Sequence, residues 1–237
     1  FFVVSGVGQA LSGFIVDRFG ARPALYTALT CFVLAGVSGA MAQGIGGLVL
    51  TAALAGIGNA PFHPVDFTIL NRRVSKPRLG HAFSVHGLAG SLGWAASPVL
   101  MIAVASAWGW RASGVAACIV GVLAGTFLLL NRSLLDDAQL AVVDGKKEAG
   151  GTFAFLGSPV VWMCWVFFFF TVMAFGILQN FAAPIFERSY GLSLALATSG
   201  LTAYLLGSAA GTGTGGFFAS QGGTQGRNVA LALSVAA

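Results

Sequence analysis

The stretch GFIVDRFGARPAL, residues 13–25, decides how this chain is read. Apolar residues run into an acid and an arginine, cross a glycine, meet a second arginine and turn apolar again. The runs on either side belong to a chain of 237 residues that is 57% hydrophobic and 8% charged. A water-soluble domain carries about 25% charged residues. A chain this poor in charge cannot cover its apolar surface by folding on itself, so its solvent is lipid. The apolar runs are about 20 residues long, the length a helix needs to cross a bilayer core. Membrane-barrel strands are alternating segments of about 10 residues. The expected fold class is therefore all-α and polytopic.

Working outward, six complete spans are expected, at residues 24–43, 46–70, 79–107, 112–130, 159–183 and 192–219. Partial spans are expected at 1–16 and 228–237, so the sequence reads as a piece of a longer protein truncated at both ends. No basic leader or cleavage site marks a signal peptide. The 34 glycines follow no collagen-like period and read as sites of close helix packing. Cys31, Cys118 and Cys164 each sit in an apolar run without metal-ligand or disulfide spacing, and read as small buried hydrophobes.

Alternate connections lie on the same side of a membrane. One set holds Arg18, Arg22, Arg72, Arg73, Lys76, Arg78, Arg132, Lys146, Lys147 and Arg227; the other holds Arg111 and Arg188. Ten of the twelve positive residues thus share a side, which the positive-inside rule makes cytoplasmic. The net charge of +5 is topological, and no basic patch interleaved with aromatics points to nucleic acid. One connection is long, polar and mixed in charge, RSLLDDAQLAVVDGKKEAGGTF from Arg132 to Phe153. It reads as a cytoplasmic linker between two membrane regions.

Written as a pattern, the opening stretch is Gly13-x-x-x-Asp17-Arg18-x-Gly20-x-Arg22. It resembles the signature between the second and third helices of the major facilitator superfamily, G-x-x-x-D-R-x-G-R-[RK], with Ala21 where the family often has its first arginine. GFFASQGGTQGRNVAL, from Gly216, resembles a degenerate second copy, with Ser220 where Asp17 stands and Arg227 in the role of Arg22. APIFERSYGLSLALATSGL, residues 183–201, is similar to the family's connection between the seventh and eighth helices. FHP, residues 62–64, followed by RLGHAFSVHGLAGSLGWAASP, resembles the fosmidomycin-resistance group of efflux transporters. That group differs from this chain at Val65-Asp66, and Ala52 stands where the family has a helix-four arginine.

The resemblance implies a fold of two pseudo-symmetric six-helix halves, here covering helix two to the start of helix nine. Residues 1–131 then belong to the N-terminal half, 132–157 to the central cytoplasmic loop and 158–237 to the C-terminal half. It also implies that Gly13, Asp17, Arg18, Gly20 and Arg22 form a cytoplasmic latch that holds one access state. The connections after helices two, four, six and eight would be cytoplasmic, in the inner membrane.

Ionisable side chains are costly in a bilayer and are functional candidates by default. Asn59, His63 and Asp66 fall at i, i+4 and i+7, on one face of a helix. Pro61 and Pro64 bracket His63 and free backbone carbonyls beside it. His86 lies on the next span on one face with Gly90 and Gly93, and Gly87, Gly90 and Gly93 would admit a neighbouring helix or a solute. In one reading His63, Asp66 and His86 line a cavity that binds solute or relays protons. In the other, His63 satisfies the freed carbonyls and Asp66 pairs with Arg72 or Arg73. Gln179 and Asn180, beside Gly176, are candidate solute contacts, and Gly207, Gly211 and Gly215 a packing seam. Apart from the terminal Gln43, the spans at 24–43 and 112–130 hold only apolar, small and hydroxyl residues and read as peripheral.

No enzyme constellation, cofactor motif or metal site emerges. GTGTGG, residues 211–216, lies inside a span with no following lysine, and His81 and His86 point about 140° apart on a helix. The expected function is secondary transport of a small organic solute, proton-coupled efflux first, by a monomer in the lipid bilayer. Uptake of a small organic anion and a non-transporting membrane sensor or assembly factor are the alternatives. A membrane metal enzyme using His63, Asp66 and His86 is a distant third.

Overall fold

The computed structural model describes residues 1–135 and 154–220. Among them, eight α-helices follow one another without strands: α1 (Phe2–Phe19), α2 (Ala21–Met41), α3 (Ile45–Asn59), α4 (Phe62–Arg73), α5 (Leu79–Trp108), α6 (Trp110–Leu130), α7 (Pro159–Tyr190) and α8 (Leu194–Ser220). Six helical stretches are long and apolar enough to cross a membrane, with α3 and α4 counted as one. Of the expected central loop, residues 136–153 lie outside the described residues, as does the expected span at 228–237.

The junctions explain the boundaries. GFIVDRFGARPAL is barely a loop: Asp17 and Arg18 complete the last turn of α1, Gly20 alone makes the corner, and Ala21 opens α2. Gly20 has φ +89°, a conformation that a Cβ penalises. Gly109, at φ +83°, makes the same single-residue corner between α5 and α6. The sequence-based start of the second helix at residue 24 was late because Arg22 and Pro23 sit in its first turn, where a missing N–H costs nothing. The expected 46–70 span divides at Ala60 and Pro61 into α3 and α4. The expected stop near 183 is overrun: α7 carries Pro184 within it and ends at Gly191, which is left-handed at φ +64°. The charged residues Glu187 and Arg188 therefore lie on the helix, not in a turn.

The described chain forms two compact units, residues 1–86 with 99–135 and residues 87–98 with 154–220. In the first, α2 lies along α6 and α3, and α1 along α3. Its buried cluster is Val16, Ala21, Ala24, Leu25, Val65 and Leu135. The α2–α6 seam is a glycine contact: a Cβ on Gly36 would stand 2.7 Å from Cys118 N, and one on Gly114 2.8 Å from Gly36 O. Without a hydrophobic drive between helices in lipid, such backbone approach is what dispersion forces reward. Arg111 adds a tie, its Nε donating to Ala42 O at the end of α2 at 2.9 Å. In the second unit α7 packs on α8, and Gly87 of α5 meets Thr212 Cγ2 at 3.1 Å from its would-be Cβ.

Hydroxyl side chains mostly serve their own helices. Ser12, Thr30, Thr51, Ser84, Thr171 and Thr198 each donate to the carbonyl four residues earlier. This removes the cost of a bare hydroxyl in lipid.

Candidate functional site

The site is built where α4 and α5 meet. Asp66 stands on the second turn of α4, two turns from its C-terminal end, and His86 on the second turn of α5. The Asp66 Oδ2 and His86 Nε2 atoms are 3.5 Å apart, with side chains 24% and 38% exposed. His63 lies within electrostatic reach of the same carboxylate. Its ring stacks obliquely on Phe67 at 5.8 Å, and Phe67 meets the ring of Phe83 edge-on at 5.4 Å. One carboxylate, two imidazoles and two phenyl rings thus share a small region of the first unit. The arrangement can hold and pass a proton, or bind a solute by charge and ring face. Val65, completely buried in the core cluster, fixes the α4 register that turns Asp66 toward α5.

Asn59 does not join this group. Its Nδ2 donates to Ser5 Oγ on α1 at 2.8 Å, with Ser5 buried. The expected common face with His63 and Asp66 is corrected accordingly: the helix is interrupted at Pro61, and the amide works at the α1–α3 contact. His63 makes no hydrogen bond among the described residues, so the freed carbonyls are not its partners. The partner the structure gives Asp66 is His86. The sequence reading missed Phe67 and Phe83; the signal was a ring at i+4 from His63, next to the acid. In the second unit, Asn180 spends its amide on Gly176 O of its own helix at 2.8 Å, and Gln179 is half-buried. Among the described residues no group of three His, Cys, Asp or Glu side chains has metal-binding geometry.

The sequence pattern of the Major Facilitator Superfamily matches residues 1–237, the whole chain. The chain belongs to the major facilitator superfamily. It is a multi-pass membrane protein of a family of transporters. Over 220 residues it is 27% identical to the fosmidomycin resistance protein of Escherichia coli, covering 91% of this chain and 53% of that protein. It is 29% identical over 98 residues to the arabinose-proton symporter of Bacillus subtilis, covering 41% of this chain and 21% of the symporter. A multidrug transporter of Candida glabrata is 28% identical over 118 residues, covering 47% of this chain and 19% of that one. The chain thus spans about half of the first relative's length and about a fifth of the other two. No solved structure matches it.

Within this superfamily member, the signature residues lie at the α1–α2 corner. Asp17 is exposed and has no ion-pair partner among the described residues, and the Arg18 guanidinium lies 5.4 Å from the Phe19 ring centre. A Cβ on Gly13 would meet nothing within 4 Å, whereas Gly20 is required by its φ. Of the expected packing glycines, Gly87 does meet α8. Gly90, Gly93 and Gly207 have nothing within 4 Å of a would-be Cβ, so among the described residues they are not contact points. Gly211 is buried; the surroundings of Gly215, and the signature copy beyond residue 220, lie outside the described residues. Tight glycine contacts are instead made at Gly36 and Gly114, and at Gly56 and Gly58 at the end of α3.

Proposed function

We propose that the full-length protein is a secondary transporter that moves a small organic solute by alternating access, with Asp66 and His86 on the transport path. The observation that carries this is the carboxylate–imidazole pair at 3.5 Å between two membrane helices. Ionisable groups at such depth are expensive, and where they occur in transporters they mark solute and proton pathways. The carboxylate–imidazole pair supports proton coupling, since both groups can carry a proton. The name of the symporter relative supports coupling to protons, and those of the resistance and multidrug relatives support efflux. Uptake by the same fold is the second reading, favoured by the symporter alone.

In this reading the arginine-rich helix ends face the cytoplasm, the two halves rock about a midplane site, and the protein works as a monomer in the inner membrane. Asp17, with Arg18 and Arg22, latches one access state from the cytoplasmic side. Gln179 and Asn180 contribute from the C-terminal half.

The test uses cells expressing the full-length protein, challenged with a panel of toxic organic cations, anions and neutral compounds. Raised tolerance to at least one compound is expected. Asp66→Asn should remove that tolerance at equal membrane abundance. No tolerance to any compound, or tolerance unchanged by Asp66→Asn, overturns the reading. For the latch, Asp17→Asn should shift the balance of inward and outward states in a cysteine-accessibility assay, with insertion unchanged; an unaltered balance leaves the stretch as a topology anchor.

A further inference from the structure

The geometry points to a solute class for this site: an organic cation, its charge on the Asp66 carboxylate in place of His86 and its apolar body on the rings of Phe67 and Phe83. This rests on the reading that Asp66 and His86 lie on the transport path.

The first ground is charge. Asp66 is the acidic side chain set inside a described span; Asp17 and Glu187 stand near helix ends. Among the described residues, the charges that act on the Asp66 carboxylate are those of His86 and His63. The fixed cations of α4, Arg72 and Arg73, lie at its C-terminal end, about 9 Å of helix rise away at 1.5 Å per residue. Arg78 precedes α5. His63 stands on α4 and His86 on α5; His81, at the start of α5, points about 140° away from His86 on that helix. An anion would meet Asp66 as a like charge, whereas a cation meets it as the opposite one. A cationic solute in the place of His86 leaves the carboxylate paired, the condition a low-dielectric site imposes.

The second ground is the ring pair on the same two helices. Phe67 is 46% exposed although it sits between two ring contacts, so part of its ring remains free for an occupant. Phe83 presents a ring at about a right angle to it. Aromatic faces carry negative potential and attract cations, most strongly where water is excluded. A carboxylate next in sequence to Phe67, whose ring meets that of Phe83, favours a positive, partly apolar solute over a neutral or negative one.

The test uses purified full-length protein and two probes of the same shape and opposite charge, tetraphenylphosphonium and tetraphenylborate. By equilibrium dialysis the cation should bind and the anion should bind more weakly. Asp66→Asn should weaken the cation by about tenfold or more, as loss of a buried charge partner does. Phe67→Leu, which keeps an apolar side chain and removes the ring, should weaken the cation about threefold and leave the anion unchanged. Tetraphenylborate binding as tight as the cation overturns the proposal. So does cation affinity unaltered in Asp66→Asn or, should that variant fail to accumulate, unaltered in Phe67→Leu. Asp66-dependent tolerance confined to anions in the cell assay would sink the cation inference and leave the transport reading standing. Tolerance that ignores Asp66 would sink both.

Discussion

The α2–α6 seam and the α4–α5 face lie in the same compact unit and are built from the same small vocabulary of residues, yet they do opposite things with it. Along α2 and α6, Gly36, Gly39 and Gly114 bring backbone against backbone, and the side chains between are apolar. At α4 and α5 the helices carry an acid, imidazoles and rings; Gly90 and Gly93, in the part of α5 that belongs to the second unit, have no described atom within 4 Å of a would-be Cβ. The contrast teaches that glycine alone does not mark a contact in this protein. Closeness comes where two helices both present small residues at the same height; polarity falls where they do not close.

The strongest way to break this comparison is to fill the seam. Gly114→Leu would drive a side chain into Gly36 O and the Gly39 backbone, with atoms already 2.8–2.9 Å from the first added carbon. Backbone cannot yield as a flexible side chain can, so the cost should reach about 3 kcal/mol. Thermal denaturation of the full-length protein should show a large fall in stability or no folded protein at all. Stability within error of wild type would mean the seam is looser than described.

A middle-sized effect sharpens where the polar face ends. Ser5→Ala removes the acceptor of the Asn59 amide between α1 and α3. Interhelical hydrogen bonds in membrane proteins contribute about 1 kcal/mol. The variant should lose about that much stability and keep its transport per molecule, because Asn59 ties α1 to α3. Lost transport at unchanged stability would return Asn59 to the group around Asp66.

Much of this was legible in the residues. The charge deficit and run lengths gave the membrane class, and Gly13-x-x-x-Asp17-Arg18-x-Gly20 gave the corner between α1 and α2. Asp66 and His86 stood out because ionisable groups in apolar runs are rare. Their pairing was not legible, since it depends on how α4 is rotated by Val65 entering the core. Asn59 misled because helical periodicity was carried across Pro61, where the structure breaks it. The α2–α6 glycines were passed over for a related reason: spacing within one helix says nothing of what the neighbouring helix presents. Phe67 and Phe83 were lost among 20 phenylalanines.

The smallest expected effect is the most discriminating. Gly90→Ala adds one methyl group at a helical position with nothing within 4 Å of it. If the comparison holds, the only change is in the backbone: alanine lowers the conformational entropy lost on forming a helix, and stability should rise by about 0.5–1 kcal/mol. The same substitution at Gly36 would place its methyl carbon 2.7 Å from Cys118 N, so the sign of the effect should reverse there. Thermal denaturation of both variants in the full-length protein reads the two signs directly. A loss of stability at Gly90 would show that a segment outside the described residues packs against α5 at that height.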